Sequence, residues 1–147
     1  LGPRMLRLSG VAADGAHPYF TPPEHTAIAR EILGQGPLLA PEQMVVLDSD
    51  LERARDVART HMARYLKLPN YTNNLLRCGF TQTDIDDMTD RLVDGIVACG
   101  DIDATLRRVQ EHHDAGADHV CIQVLVADND LDVTIDQWRR LADAFDL

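Results

Sequence analysis

Aromatic side chains are scarce in this 147-residue chain, at 5%, and there is a single Trp. Positive charge is also short: 14 basic residues stand against 24 acidic ones, a net of -10. A chain this acidic repels phosphate backbones, which excludes nucleic acid binding as a general role. No apolar run approaches the roughly 20 residues needed to span a bilayer, so no membrane role is expected. Cys78, Cys99 and Cys121 are odd in number, far apart and without a CxxC. They are expected to be reduced, partly buried thiols in a cytoplasmic protein, and neither a disulfide nor a metal site is expected. Walker, GxGxxG, GxSxG and HExxH patterns are all absent.

What is present is enough for one domain of ordinary size. Hydrophobic residues make up 45%, and a compact chain of about 150 residues buries roughly 70% of its unfolded surface. The organising stretch is Leu1 to Phe20. Gly2-Pro3 opens a helix, since Pro in the first turn loses no hydrogen bond. Met5, Leu6, Leu8 and Val11 predict its apolar face, and Asp14-Gly15 turns the backbone into a strand over 15–20. A chain that starts with Leu, and with a helix lacking its leading strand, is expected to be the later part of a longer polypeptide.

Thr21-Pro22-Pro23-Glu24 starts a second helix, with Ala27, Ile28, Ile32 and Leu33 expected inward. The run Glu42 to Asp48 predicts a buried strand. Asp48-Ser49-Asp50 caps a long helix over 51–66, with Leu51, Ala54, Val57, Ala58, Met62 and Tyr65 on one face. The basic residues Arg53, Arg55 and Arg59 alternate with Glu52 and Asp56, which predicts a solvated face. A short helix over 70–78, a polar turn over 81–88, and helices over 90–99 and 102–115 follow. Val120 to Val126 is the most strand-like run, and a last helix begins at Thr134 or Asp136.

Helix and buried strand alternate, which argues for parallel strands with right-handed crossovers. Strands near 15–20, 42–48 and 118–126, with helices on one side, leave two open edges and an uncovered face. The pattern fits an arc of an α/β barrel better than a complete doubly wound sheet. Such an arc is expected to self-associate, as a homo-oligomer or larger species, through its open edges.

Two places could carry chemistry. The helix start at Gly2-Pro3-Arg4 could hold phosphate through unpaired N–H groups and the Arg4 charge, or be a plain loop-helix junction. His17, with Pro18 and Tyr19, lies at the carboxyl end of its strand, where such folds put ligands. It could bond a cofactor or move a proton, or be satisfied by a neighbouring carbonyl. His112 and His113 point apart on their helix and are expected at the surface. His119 is expected to be structural. Gln123 could face the barrel interior near a ligand.

GPRMLRL, ADGAHPYF, TPPEHTAIAREILG and the late DAGADHVCIQVL together resemble the carboxyl-terminal half of luciferase-like monooxygenase-class oxidoreductases, in particular the probable coenzyme F420-dependent subgroup. The resemblance runs in order over essentially the whole chain. It implies an α/β fold: residues 1–147 as the C-terminal portion of a (β/α)8 TIM barrel, with a helical insertion at about 50–100. It implies an F420- or flavin-dependent oxidoreductase (coenzyme F420, alternatively FMN) that moves hydride to or from a small-molecule substrate. It also implies cofactor contacts at Gly2, Pro3, Arg4 and His17. The family's first strands, with most groups near the reacting carbon, have no counterpart here, so no catalytic residue is assigned and the 147-residue chain alone is expected to be inactive. The alternative is a half-barrel assembly module without activity of its own.

Overall fold

The computed structural model describes residues 1–127 and 130–147. In chain order the elements are α1 (Pro3–Ala12), β1 (Gly15–Ala16), α2 (Pro23–Leu33), β2 (Leu38–Leu39), β3 (Glu42–Leu47), α3 (Leu51–Met62), α4 (Pro69–Arg77), α5 (Gln82–Asp86), α6 (Asp90–Ile96), β4 (Val97–Gly100), α7 (Ile102–Asp114), β5 (Cys121–Val124) and α8 (Leu131–Ala144). The helix starts follow local chemistry. The carboxylates of Asp50, Asp101 and Asp130 accept backbone N–H groups at the starts of α3, α7 and α8, each satisfying donors that the helix cannot. A reciprocal Thr81–Asp84 capping box orders α5, where the sequence predicted only a polar turn.

All strand pairs are parallel. β1 pairs with β2, and β3 lies between β4 and β5. The Glu42 N–H donates to the Pro18 carbonyl at 2.8 Å, so the first strand continues alongside the start of β3. The three expected strands are thus parallel neighbours in chain order.

The strand β4 is a correction. Residues 97–99 were expected to end a helix, but α6 stops at Ile96 and Val97–Gly100 pairs with Met44–Leu47. A four-residue apolar run has no period long enough to separate helix from strand, and the open upper edge of β3 decides it. The supposed helical insertion therefore contains a strand of the sheet.

The second correction concerns the faces. On one side Met44 and Val46 lie under Ala54, Ala58 and Met62 of α3, Leu75 of α4 and Leu92, Val93 and Ile96 of α6. On the other, Val45, Ala98 and Val124 meet Leu141 of α8, and Gln43 reaches α7. Met44 and Val45 are each 0% exposed, so neither face is open to water as a bare arc requires. The alternation of the strand sends successive residues to opposite layers. No closed barrel forms among the described residues.

The helix faces also differ from expectation at three places. In α2 the buried residues are His25, Thr26, Ala29 and Leu33, while Ile28 is exposed. Polar partners inside the protein pull that helix round by about one position. In α1 only Leu6 is buried, and Met5, Leu8 and Val11 point outward. Arg55 and Arg59 do not form a solvated face: Arg55 pairs with Asp94 at 2.8 Å and Arg59 with Asp90, tying α3 to α6.

Candidate functional site

At the carboxyl end of the first strand the backbone reverses at Phe20, whose φ is 60°. A left-handed conformation at a bulky residue is strained and persists only where its surroundings hold it. Here Phe20 is buried at 1% exposure, and its N–H donates to the Glu42 carboxylate at 3.3 Å. The Phe20 ring is buried in the core, and Tyr19 packs against the edge of the same cluster.

Tyr19 donates its O–H to Gln123 Oε1 at 2.8 Å. Its oxygen lies 2.9 Å from the Tyr65 hydroxyl, which itself accepts from an Arg64 N–H at 2.9 Å. The bonds run one way, from Arg64 through Tyr65 and Tyr19 to Gln123. Tyr65 and Tyr71 pack on Phe20 with ring centroids 5.0 and 5.5 Å away. All three tyrosines of an aromatic-poor chain converge here.

Glu42 completes the cluster from beneath. It is 5% exposed, its Oε1 has no hydrogen-bond partner, and burial pushes its carboxyl up to about 7. Burial, the Tyr65 hydrogen bond and the Glu42 charge together raise the Tyr19 phenol. Near neutral pH the Tyr19 phenol therefore keeps its proton beside a carboxyl balanced between its two forms.

His17 is exposed, and its Nδ1–H donates to the Ala40 carbonyl at 2.5 Å. That fixes the tautomer and leaves Nε2 as an acceptor. His17, Pro18 and Tyr19 line a cavity of about 200 Å³ with Leu1, Met5 and Leu6, so the start of α1 and the end of the first strand share one wall. Gly2 is the N-cap of α1 and Pro3 its first residue. Arg4 is exposed on the first turn. A second cavity, about 580 Å³, lies between the end of α3 and the end of β5. Gln123 lines the second cavity while Tyr19 lines the first, so their hydrogen bond is the seam between the two.

His112 corrects the surface expectation: it is 0% exposed. Its Nε2–H donates to Gln43 Oε1 at 2.9 Å, and its Nδ1 accepts from the Thr26 hydroxyl at 2.8 Å. Successive helical residues diverge by about 100°, so one of an adjacent pair faces inward with Thr105 and Val109. His113 is the outward one. The three cysteines are unpaired and partly buried, and burial raises the Cys78 and Cys99 thiols to about 11. No metal-ligating group of three or more residues exists among the described residues.

No family model matches the chain, and no curated protein sequence matches it. Solved structures do. A coenzyme F420-dependent tetrahydromethanopterin reductase from Methanopyrus kandleri superposes with a TM-score of 0.60 at 17% identity, over 84% of this chain and 42% of that one. The fold is shared with part of that structure. An F420-dependent secondary alcohol dehydrogenase, solved with an F420-acetone adduct, gives a TM-score of 0.62 at 15% identity, over 95% of this chain and 45% of that one. The chain spans less than half the length of either structure. No helix among the described residues is long and apolar enough to cross a membrane.

The tyrosine–Glu42 cluster had no signature in the sequence. Tyr19, Glu42, Tyr65 and Gln123 are separated by as many as 104 positions, and they meet because the first strand and β5 both lie beside β3 while α3 packs on it. What the sequence offered was Tyr19 and Gln123 singly, by their strand positions, and a glutamate heading the apolar run EQMVVL.

Proposed function

We propose that residues 1–147 are the C-terminal portion of an F420-dependent oxidoreductase, a partial luciferase-like barrel. Coenzyme F420 is preferred to FMN, and the substrate is a small organic molecule. The observation that carries this reading is the shared wall of Leu1 and His17 at the carboxyl end of the strands, in a fold shared with two F420-dependent enzymes.

The residues present fit one wall of such a cofactor. Gly2 and Arg4 would offer a helix start and a charge to its phosphate, and His17 Nε2 an acceptor to its ring. When bound, the deazaflavin supplies hydride transfer. The protein's contribution is to orient and to exclude water: Tyr19 holds its proton on Gln123, and the aromatic cluster behind it keeps the wall dry. The expected test is F420 fluorescence titrated with the chain, with FMN as competitor. Saturable F420 binding should weaken about tenfold in His17→Ala and Arg4→Ala, a loss typical of a hydrogen bond to a charged group. Equal binding by both variants and wild type would remove these residues from the site. The 147-residue chain by itself should show no F420-linked turnover.

A second reading has its own observation. Met5, Leu8 and Val11 on α1 and Leu131, Ile135 and Trp138 on α8 are all exposed, one stripe at each end of the molecule's chain path. A half-barrel module that assembles through such stripes, as a homo-oligomer or with a partner, would present them. Sedimentation of wild type against Trp138→Glu separates the readings, because only assembly through α8 is lost in the variant.

A further inference from the structure

We propose that the 580 Å³ cavity between α3 and β5 binds an organic carboxylate with an apolar tail, its head group held by Arg64 and Gln123. The proposal rests on the oxidoreductase reading only in making this ligand the substrate; the binding itself does not depend on it.

The cavity's size lies within the range of small-molecule sites, and it opens beside residues 124–127, just past the carboxyl end of β5. Its lining divides by chemistry. Val57, Val126 and Leu131 give an apolar wall, and His61, Arg64 and Gln123 a polar one. In a chain with 24 acidic residues, no Asp or Glu is among the described lining residues.

Arg64 is the arginine among the described lining residues of this cavity. Arg30, Arg53, Arg55, Arg59, Arg91 and Arg108 all have a carboxylate partner, and Arg64 has none among the described residues. It is nonetheless held in place. Its guanidinium carbon sits 4.8 Å from the centre of the Tyr65 ring, and one terminal nitrogen donates to the Tyr65 hydroxyl at 2.9 Å. The same nitrogen also lies 3.2 Å from His61 Nε2, and the other guanidinium N–H groups, without a hydrogen-bond partner among the described residues, are left to donate to a carboxylate. Gln123 is fixed as well. Its Oε1 is occupied by the Tyr19 O–H, which leaves the amide N–H groups, and so only donors, to face a ligand. Two donor groups, one of them cationic, beside an apolar wall match an anionic head on an apolar tail. Burial and the Arg64 charge both lower the neighbouring His61, so at neutral pH it adds no charge to the site. Because Gln123 also holds Tyr19, which lines the cavity with His17, a ligand here sits one hydrogen bond from the proposed cofactor wall.

The test uses the chain without cofactor and three probes: hexanoate, hexanol and inorganic phosphate, followed by methyl NMR shifts of Leu131 and Val126 and by calorimetry. Hexanoate should bind saturably and move those methyls, with hexanol at least about tenfold weaker. Arg64→Gln should weaken hexanoate by about the same factor and leave hexanol unchanged, while Arg7→Gln, an equal loss of charge on α1, should change neither. Arg64 is exposed, so the variant should melt like wild type; if it does not, the hexanoate-to-hexanol ratio on wild type decides alone. Equal binding of hexanoate and hexanol overturns the proposal. So does tighter binding of phosphate than of hexanoate, which would give the cavity to a phosphate group. F420 is absent throughout, so either result leaves the cofactor reading to its own titration.

Discussion

Gln43 and Glu42 are neighbours on one strand, both buried, and they live in opposite conditions. Gln43 faces α7 and is fully occupied: its Oε1 accepts from His112, and its Nε2 donates to the Met44 and Ile96 carbonyls at 2.7 and 3.0 Å. Thr26 closes that chain from α2. Glu42 faces the tyrosines, and among the described residues one of its oxygens is unpartnered and a strained residue is its only donor. A satisfied buried network fixes how layers pack, whereas an unsatisfied one is destabilising and marks a place kept for something other than stability. The strand's two-residue period puts the first behind the sheet and the second among the candidate site.

The largest expected effect is on the satisfied side. His112→Ala leaves Thr26 and the Gln43 oxygen unpaired around a new cavity, and at pH 8 should cost about 3–5 kcal/mol in urea unfolding. A loss under about 1 kcal/mol would mean the network is ornamental.

Next is a pH dependence. Burial, with help from Arg108, lowers His112 to about 4, so between that value and about 6.5 the unfolded chain binds a proton that the folded one refuses. Its contribution should be unchanged above pH 7 and fall by about 3 kcal/mol from pH 6.5 to 4. The stability gap between wild type and His112→Ala should shrink over that window, and a constant gap would contradict a buried neutral imidazole.

Glu42 has the opposite sign. Its folded pKa is raised, so the folded state holds a proton that the unfolded state has lost, and stability falls as pH rises from about 4.5 to 7. Glu42→Gln should be neutral near pH 4 and stabilising by about 2 kcal/mol at pH 8. Destabilisation at pH 8 would place an unseen partner on its second oxygen. Between pH 4.5 and 6.5 the two groups oppose each other, so each slope emerges only when the other is replaced. The smallest effect is Tyr19→Phe, which removes two hydroxyl contacts at a partly solvated seam and should cost about 1 kcal/mol. Thermal melts alongside Glu42→Gln would show whether the two act as one cluster, through non-additive losses.

Most of the fold was legible because it rests on local rules. Asp50, Asp101, Pro3 and Pro23 announce their helices, and EQMVVL and CIQV their strands. Where reading failed, a short segment was decided by what lay beside it. Val97–Gly100 became a strand because β3 had an edge to fill, and α2 rotated because Thr26 found His112 and His25 found the Leu1 carbonyl. The exposed apolar residues of α1 fail for the same reason: an apolar face predicts burial only where a partner exists.

By itself, then, the sequence determined the alternation of helices with parallel strands and the order of the strands it foresaw, since each follows from spacing, caps and composition within a few residues. Of the candidate site it could supply His17 and Gln123, at strand positions where ligands gather. Tertiary structure alone decided that helices cover both faces of the sheet, that His112 is buried and His113 is not, and that Arg64, Tyr65, Tyr19 and Gln123 form one line. Such features depend on pairing between residues up to about a hundred positions apart. The energy of a hydrogen bond or a buried charge depends on the partner across the fold, and no window of sequence contains that partner.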